Sequence, residues 1–313
     1  MSRDRTNADA PAVQSGKGRE RVPVERPPAP EPLGVAVADS HCHLDMGHLD
    51  MGNSIGLPTG SGLDGGMAIV EEALAAARAV GVTTIVQIGC DLASAQWSAD
   101  IAARQEDVWA GVSLHPNEAP RLAAKGELDA AYDSIDALAA LPQVVAVGET
   151  GLDYFRTGED GRAAQHESFR RHIEMAKRHG KALVIHDRDA HDDVLALLEA
   201  EGAPERVVFH CFSGDEAMAR VCADRGYYLS FAGTVTFANA HNVRAALAVT
   251  PLERILVETD APFLTPMPYR GRPNASYLIP LTLRRMAAEL GLQEDQLAGQ
   301  VMANTVAAFR LSS

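Results

Sequence analysis

The chain has 313 residues, 46% of them hydrophobic and 22% charged, with a formal net charge of −14. This size and composition suit a globular protein of one large barrel or two ordinary domains, and no apolar run reaches the roughly 20 residues needed to span a membrane. The acidic balance argues against broad, salt-driven binding to nucleic acid along an exposed surface, but permits a nucleic acid held by metal ions in one cleft.

Residues 1–33 are rich in Pro, Arg, Glu, Asp and small residues. Such a segment buries too little apolar area to offset chain entropy, so a disordered N-terminal tail is expected there. It shows neither the apolar core of a signal peptide nor a twin-arginine signal. The four cysteines, Cys42, Cys90, Cys211 and Cys222, form no CxxC pair. A reduced cytoplasm is the expected setting.

From residue 34 to 313, short apolar runs alternate with helical patterns. The first run leads through Val35–Asp39 into His41-Cys42-His43, where strand alternation turns both histidines to one side and Cys42 to the other. A long stretch follows, Met46–Gly66, Gly-rich and without periodicity; such connections are usually functional or mobile. Further strands are expected at Thr83–Gly89, Trp109–His115, Val144–Glu149, Ala182–Asp187, Val207–Cys211, Tyr227–Ala232 and Ile255–Asp260. Helices are expected between them at Ala68–Val80, Ala93–Arg104, Ser134–Ala140, Gln165–Arg178, Asp192–Ala200, Glu216–Asp224 and Asn242–Ala248, with Ser94, Asp160 and Ser213 as caps. Ile279–Leu290 and Glu294–Leu311 read as two closing helices. Strict alternation over a span near the usual size of about 250 residues predicts an α/β fold, a TIM-type (β/α)8 barrel forming a single domain after the tail.

Parallel barrels carry their chemistry at the carboxyl ends of the strands. Here those ends offer His41 and His43, His115, Glu149, His186, His210, and Glu258 with Asp260. Four histidines with two carboxylates form the ligand set of a divalent-ion pair, one carboxylate bridging. Other patterns point elsewhere. His166 and His172 are six residues apart and cannot form an HExxH site, and no Gly-x-Ser-x-Gly elbow supports a serine nucleophile.

The runs DSHCHLD, GETGLDYF, VIHDRDA, HCFSG and ETDAPFLTP resemble the TatD family of metal-dependent deoxyribonucleases, in the amidohydrolase-like superfamily of barrels. The resemblance covers nearly everything from Asp39 to Phe309. It implies one ion on His41, His43 and Asp260, with Glu149 bridging to a second on His186 and His210. It implies 3′ exonuclease activity on single-stranded DNA, with RNA or D-aminoacyl-tRNA as alternative substrates, the latter deacylated on the same metal site. No membrane and no required protein partner are expected. The chain departs from the family in its longer loop after HCHLD and in Pro268–Ala275, PYRGRPNA, where Ala275 and Ser276 replace the usual Glu-Pro after Asn274.

Two ions, whether Mg, Mn or Zn, would activate water and neutralise phosphate oxygens. Asp260 is the expected proton acceptor, and Glu258 either orients a ligand or pairs with a nearby cation. His115, Asp153 and Arg188 are the expected substrate-side residues. For Arg188 the plain alternative is an ion pair with Asp189 or Asp192. Asp153 is placed at the rim, ordering the loop after Glu149. Tyr154 and Phe155 either stack on a base or pack at the barrel mouth.

Overall fold

A computed structural model describes residues 25–46 and 64–312. The order is β1 (Val37–Cys42), α1 (Asp64–Ala79), β2 (Val82–Gly89), α2 (Leu92–Ala102), β3 (Val108–Val112), α3 (Glu118–Lys125), α4 (Leu128–Ala139), β4 (Val144–Asp153), α5 (Glu159–His179) and β5 (Ala182–Arg188). It continues with α6 (His191–Glu201), β6 (Val207–Phe209), α7 (Glu216–Asp224), β7 (Tyr228–Phe231), α8 (His241–Val249), β8 (Ile255–Val257), α9 (Ile279–Leu290) and α10 (Glu294–Phe309). The eight strands pair in sequence order, and every pairing is parallel. Just beyond the last strand the seam is drawn together by the backbone. The Asp260 N–H donates to the His41 carbonyl at 2.9 Å, and the His43 N–H donates to the Ala261 carbonyl at 2.9 Å. This is the predicted single-domain (β/α)8 barrel.

Strand alternation divides the core in two. Val86, Ile88, Ala146, Ala182, Val184, Val208, Tyr228 and Leu256 form one cluster with Phe309 of α10, while the larger cluster joins the opposite strand faces to the helices. On β2 and β5 the members of the first set lie two residues apart, on one face of the strand. Extending it by two more reaches Cys90 from Ile88, His186 from Val184, His210 from Val208 and Glu258 from Leu256. The interior pattern of the barrel therefore runs directly into the site.

Several boundaries differ from the sequence reading. β1 runs to Cys42 rather than Asp39, so His41 lies on the strand and His43 immediately follows it. The caps of α2 and α7 are Asp91 and Asp215, whose carboxylates accept the Ser94 and Met218 N–H groups. Ser94 serves instead as the reciprocal partner of Asp91. Asp160 lies inside α5, whose cap is Gly158. The helix α3 was not foreseen; its Pro120 falls in the first turn, where no intrahelical N–H is needed. Gly126 ends it at φ 70°, a left-handed conformation suited to glycine.

The segment 25–33, assigned above to the tail, packs on the barrel. Leu33 is buried and its N–H donates to the Val80 carbonyl at 3.0 Å. The Tyr277 hydroxyl donates to the Pro27 carbonyl at 2.7 Å, and Arg284 donates to that of Glu31 at 2.9 Å. Residues 1–24, and 47–63 of the Gly-rich stretch, lie outside the described residues. Among the described residues no helix is long and apolar enough to cross a membrane.

Candidate metal centre

Glu149 stands at the centre of the carboxyl-end face. The register of β4 against β5 shifts between Val147 and Thr150: three steps on β4 match two on β5. Such a bulge bends a strand and re-aims its side chains. Gly148 permits it, because φ is 155° and a Cβ there would come within 2.4 Å of the Val184 carbonyl oxygen. The result is a nearly buried carboxylate with different neighbours at each oxygen. Oε1 lies 2.6 Å from His186 Nδ1, 2.9 Å from His210 Nε2 and 3.5 Å from His115 Nε2. Oε2 lies 3.5 Å from His41 Nε2 and 3.9 Å from His43 Nε2.

The other hydrogen bonds of each histidine decide which nitrogen keeps a lone pair. His43 Nδ1 faces the Ile88 carbonyl at 2.9 Å, an acceptor only, so Nδ1 carries the proton and Nε2 is free to ligate. His210 Nδ1 faces Glu258 Oε1 at 3.3 Å, which again leaves Nε2. His186 is reversed: Nε2 lies 3.3 Å from Asp153 Oδ2, and Nδ1 points to Glu149. His115 Nδ1 accepts the Asn117 N–H at 3.1 Å, so its Nε2 is a donor directed at Glu149. The tautomers thus separate His115 from the other histidines.

His41 provides the test of fit for a cation. It is fully buried, and neither ring nitrogen has a hydrogen-bond partner among the described residues. Burial, the largest cause, lowers its pKa and favours the neutral ring. A buried neutral imidazole beside two carboxylates is costly without a partner and well suited to a metal ion. Ligand atoms of His41, His43 and Asp260 lie within 4.8 Å of one another, as do those of His41, Glu149 and His210.

Asp260 Oδ1 is 3.4 Å from His43 Nε2 and 3.8 Å from His41 Nε2. Its backbone has φ 54°, a left-handed conformation that Asp tolerates only at some cost. Its neighbours brace it. The Thr259 N–H and hydroxyl donate to Asp39 at 2.9 and 2.5 Å, and the Asn274 side-chain amide donates to the Thr259 and Phe263 carbonyls at 2.9 and 2.6 Å. Asn274, the matching residue of the otherwise divergent loop, therefore acts on the chain around Asp260.

Burial would raise the pKa values of both central carboxylates, yet the histidines prevail. His210 and His115 hold Glu149 well below the carboxylate range, and His43 with His210 lowers Asp260. Both are anionic, as cation binding requires. Asp153 is also lowered: hydrogen bonds from His186, the Arg156 N–H and Asn117 overcome burial. It is buried among these protein groups rather than at the rim, so it serves His186 and the following loop. Glu258 is fully buried; it accepts the Cys211 N–H at 2.7 Å and orients His210, with no Lys or Arg ion pair among the described residues. The Arg188 guanidinium lies 3.9 Å over the Phe155 ring rather than against Asp189 or Asp192.

Two residues escaped the sequence reading. Cys90 Sγ lies 3.6 Å from Glu149 Oε2; burial pushes the thiol up to about 12, so it is a donor. Its signal was the two-residue spacing from Ile88. His172 is fully buried in α5, where Nδ1 donates to the Ser168 carbonyl at 2.7 Å and Nε2 accepts the Leu114 N–H at 3.1 Å. It supports the chain just before His115, and helical spacing alone held no hint of that partner.

The family described as TatD related DNase matches residues 38–310. A Mycobacterium tuberculosis protein described as an uncharacterized metal-dependent hydrolase TatD is 43% identical over 279 residues, covering 88% of this chain and 98% of that protein. A Citrobacter rodentium protein named 3′-5′ ssDNA/RNA exonuclease TatD is 32% identical over 249 residues, covering 77% and 92%. The crystal structure of YJJV, a TatD homologue from Escherichia coli, superposes with a TM-score of 0.75 at 24% identity, covering 88% of this chain and 98% of that one. On the extent of the family match and the close agreement with these relatives, the chain belongs to the TatD family of metal-dependent hydrolases.

Proposed function

We propose that the enzyme hydrolyses phosphodiester bonds in single-stranded nucleic acid, from the 3′ end, at a centre holding two divalent ions. The observation that carries this reading is the division of Glu149, with Oε1 toward His186 and His210 and Oε2 toward His41 and His43. His41, His43 and Asp260 would hold one ion, His186 and His210 the other, with Glu149 bridging. Bound there, Mg, Mn or Zn would acidify a water molecule and neutralise phosphate oxygens.

The remaining tasks fall to the chain. Asp260 accepts the proton of the attacking water at its carboxylate, the one anionic ligand besides Glu149 in the cluster. With substrate bound, His115 donates its Nε2–H, otherwise directed at Glu149 Oε1 3.5 Å away, to a phosphate oxygen, since its Nδ1 is occupied by Asn117. Asp153 and Glu258 hold His186 and His210 in their ligating tautomers. The four cysteines are free thiols, which supports a cytoplasmic setting. The name of the Citrobacter relative supports nucleic acid as the substrate.

The test is hydrolysis by metal-stripped and metal-restored protein on single-stranded DNA, RNA and D-aminoacyl-tRNA. Metal-dependent release of nucleotides is expected. Turnover of the aminoacyl ester with no cleavage of either strand would replace this reading with deacylation.

A further inference from the structure

The rim beside His186 carries an aromatic side chain that the catalytic centre does not use. Phe155 is 64% exposed, the most exposed large apolar side chain among the described residues. Its neighbour Tyr154 is fully engaged: the hydroxyl lies 2.5 Å from both His166 Nε2 and Asp193 Oδ2, and the Arg162 guanidinium lies 4.0 Å over the ring. Phe155 has instead the Arg188 guanidinium, 3.9 Å from its ring centre.

The fold fixes this pair beside the metal cluster. Asp153 is in register with Arg188, and the Tyr154 N–H donates to the Arg188 carbonyl at 2.9 Å. Arg188 follows His186 by two residues on β5, and Phe155 follows Asp153, the partner of His186, by two. On the opposite side Phe263 is 43% exposed, with its ring 6.4 Å from that of His43. In a chain of net charge −14, Arg188 ends β5 and Arg156 follows β4, while Arg270 and Arg272 follow β8 and lie over the Phe237 and Tyr269 rings. A planar cation fixed on an exposed ring presents a flat stacking surface and N–H edges at once. Unpaired bases stack on aromatic and guanidinium planes, whereas a duplex keeps its bases inside.

Resting on the nuclease reading, we infer that Phe155 and Arg188 form a stacking platform for one unpaired base next to the scissile phosphodiester. Arg188 acts there as a binding residue for base and backbone, outside the chemistry.

The test compares wild type with Phe155→Ala, Phe155→Trp and Arg188→Lys, each loaded with Mn²⁺. The substrate is an oligothymidylate carrying one abasic residue at each of its last three 3′ positions in turn. Phe155→Ala should raise KM on the intact strand about 5- to 100-fold, the loss of one stacked base. One abasic position should raise the wild-type KM similarly, and the two losses should not add. Phe155→Trp should keep a low KM, and Arg188→Lys, with charge but no plane, should fall between. An unchanged KM in Phe155→Ala, or fully additive losses, would overturn the platform while leaving the nuclease intact. Failure of wild type to cleave the intact strand would overturn both.

Discussion

Glu258 Oε1 sits 3.3 Å from Nδ1 of His210, the side of the ring away from Glu149. The carboxylate therefore holds the proton on Nδ1 and aims Nε2 into the cluster. Glu258→Gln removes the charge while keeping the size. Metal affinity should fall by about 10- to 100-fold, the usual effect of losing a ligand's hydrogen-bond partner, with the barrel still folded. Calorimetric titration with Mn²⁺ measures this, and unchanged affinity would show that His210 is oriented by other means.

Asp260 combines an anionic carboxylate with a braced left-handed backbone. Asp260→Asn keeps one coordinating oxygen and loses the proton acceptor. Turnover should drop by about two to four orders of magnitude, the range for a positioned base. Metal analysis of the same sample separates the roles. Lost rate with metal retained identifies a base, lost rate with lost metal identifies a ligand, and full activity excludes both.

His172 links the site to stability at low pH. Burial lowers its pKa from 6.5 to about 4, and the folded protein holds it neutral between Leu114 and Ser168. Below the unfolded value the unfolded chain binds the extra proton. The contribution is thus complete above about pH 6.5 and is lost as pH falls toward 4, a change of roughly 3 kcal/mol. Denaturant unfolding of His172→Gln should show a shallower decline over that window than wild type. Equal slopes would mean that His172 does not titrate on unfolding.

The N-terminal segment divides near residue 25. Deleting residues 1–24 should leave the thermal midpoint unchanged, since their composition offers little to bury. Extending the deletion through residue 33 removes the Leu33 contact and the bonds from Tyr277 and Arg284. That should cost about 2–5 kcal/mol, from one buried aliphatic side chain and several hydrogen bonds. Equal midpoints for the two deletions would show that residues 25–33 add nothing.

The barrel was readable because short apolar runs recur between helical patterns, and several of them end in a histidine or a carboxylate, as in Ala182–Ile185 before His186. The histidines and carboxylates were visible for the same reason. Their individual roles were not, because these depend on partners distant in sequence. Asn117 reaches His115 from the following turn, but Asp153 meets His186 only through the β4–β5 register, and Glu258 meets His210 from 48 residues away. The bulge at Gly148 shifts Glu149 relative to simple alternation, which no period-two reading anticipates. The tail boundary failed for a related reason. Composition describes what residues 25–33 can bury among themselves, whereas their contacts come from Val80, Tyr277 and Arg284.

Cleavage of single-stranded nucleic acid at the proposed metal centre around Glu149 depends on bound divalent ions. The most direct measurement strips the protein with chelator, then titrates Mn²⁺ while following release from a 3′-labelled single-stranded oligonucleotide and counting bound ions. No release is expected without metal, with release of 3′-terminal nucleotides as metal returns and saturation at about two ions per chain. Full activity in the stripped protein, or two bound ions with no strand cleaved, would contradict this expectation.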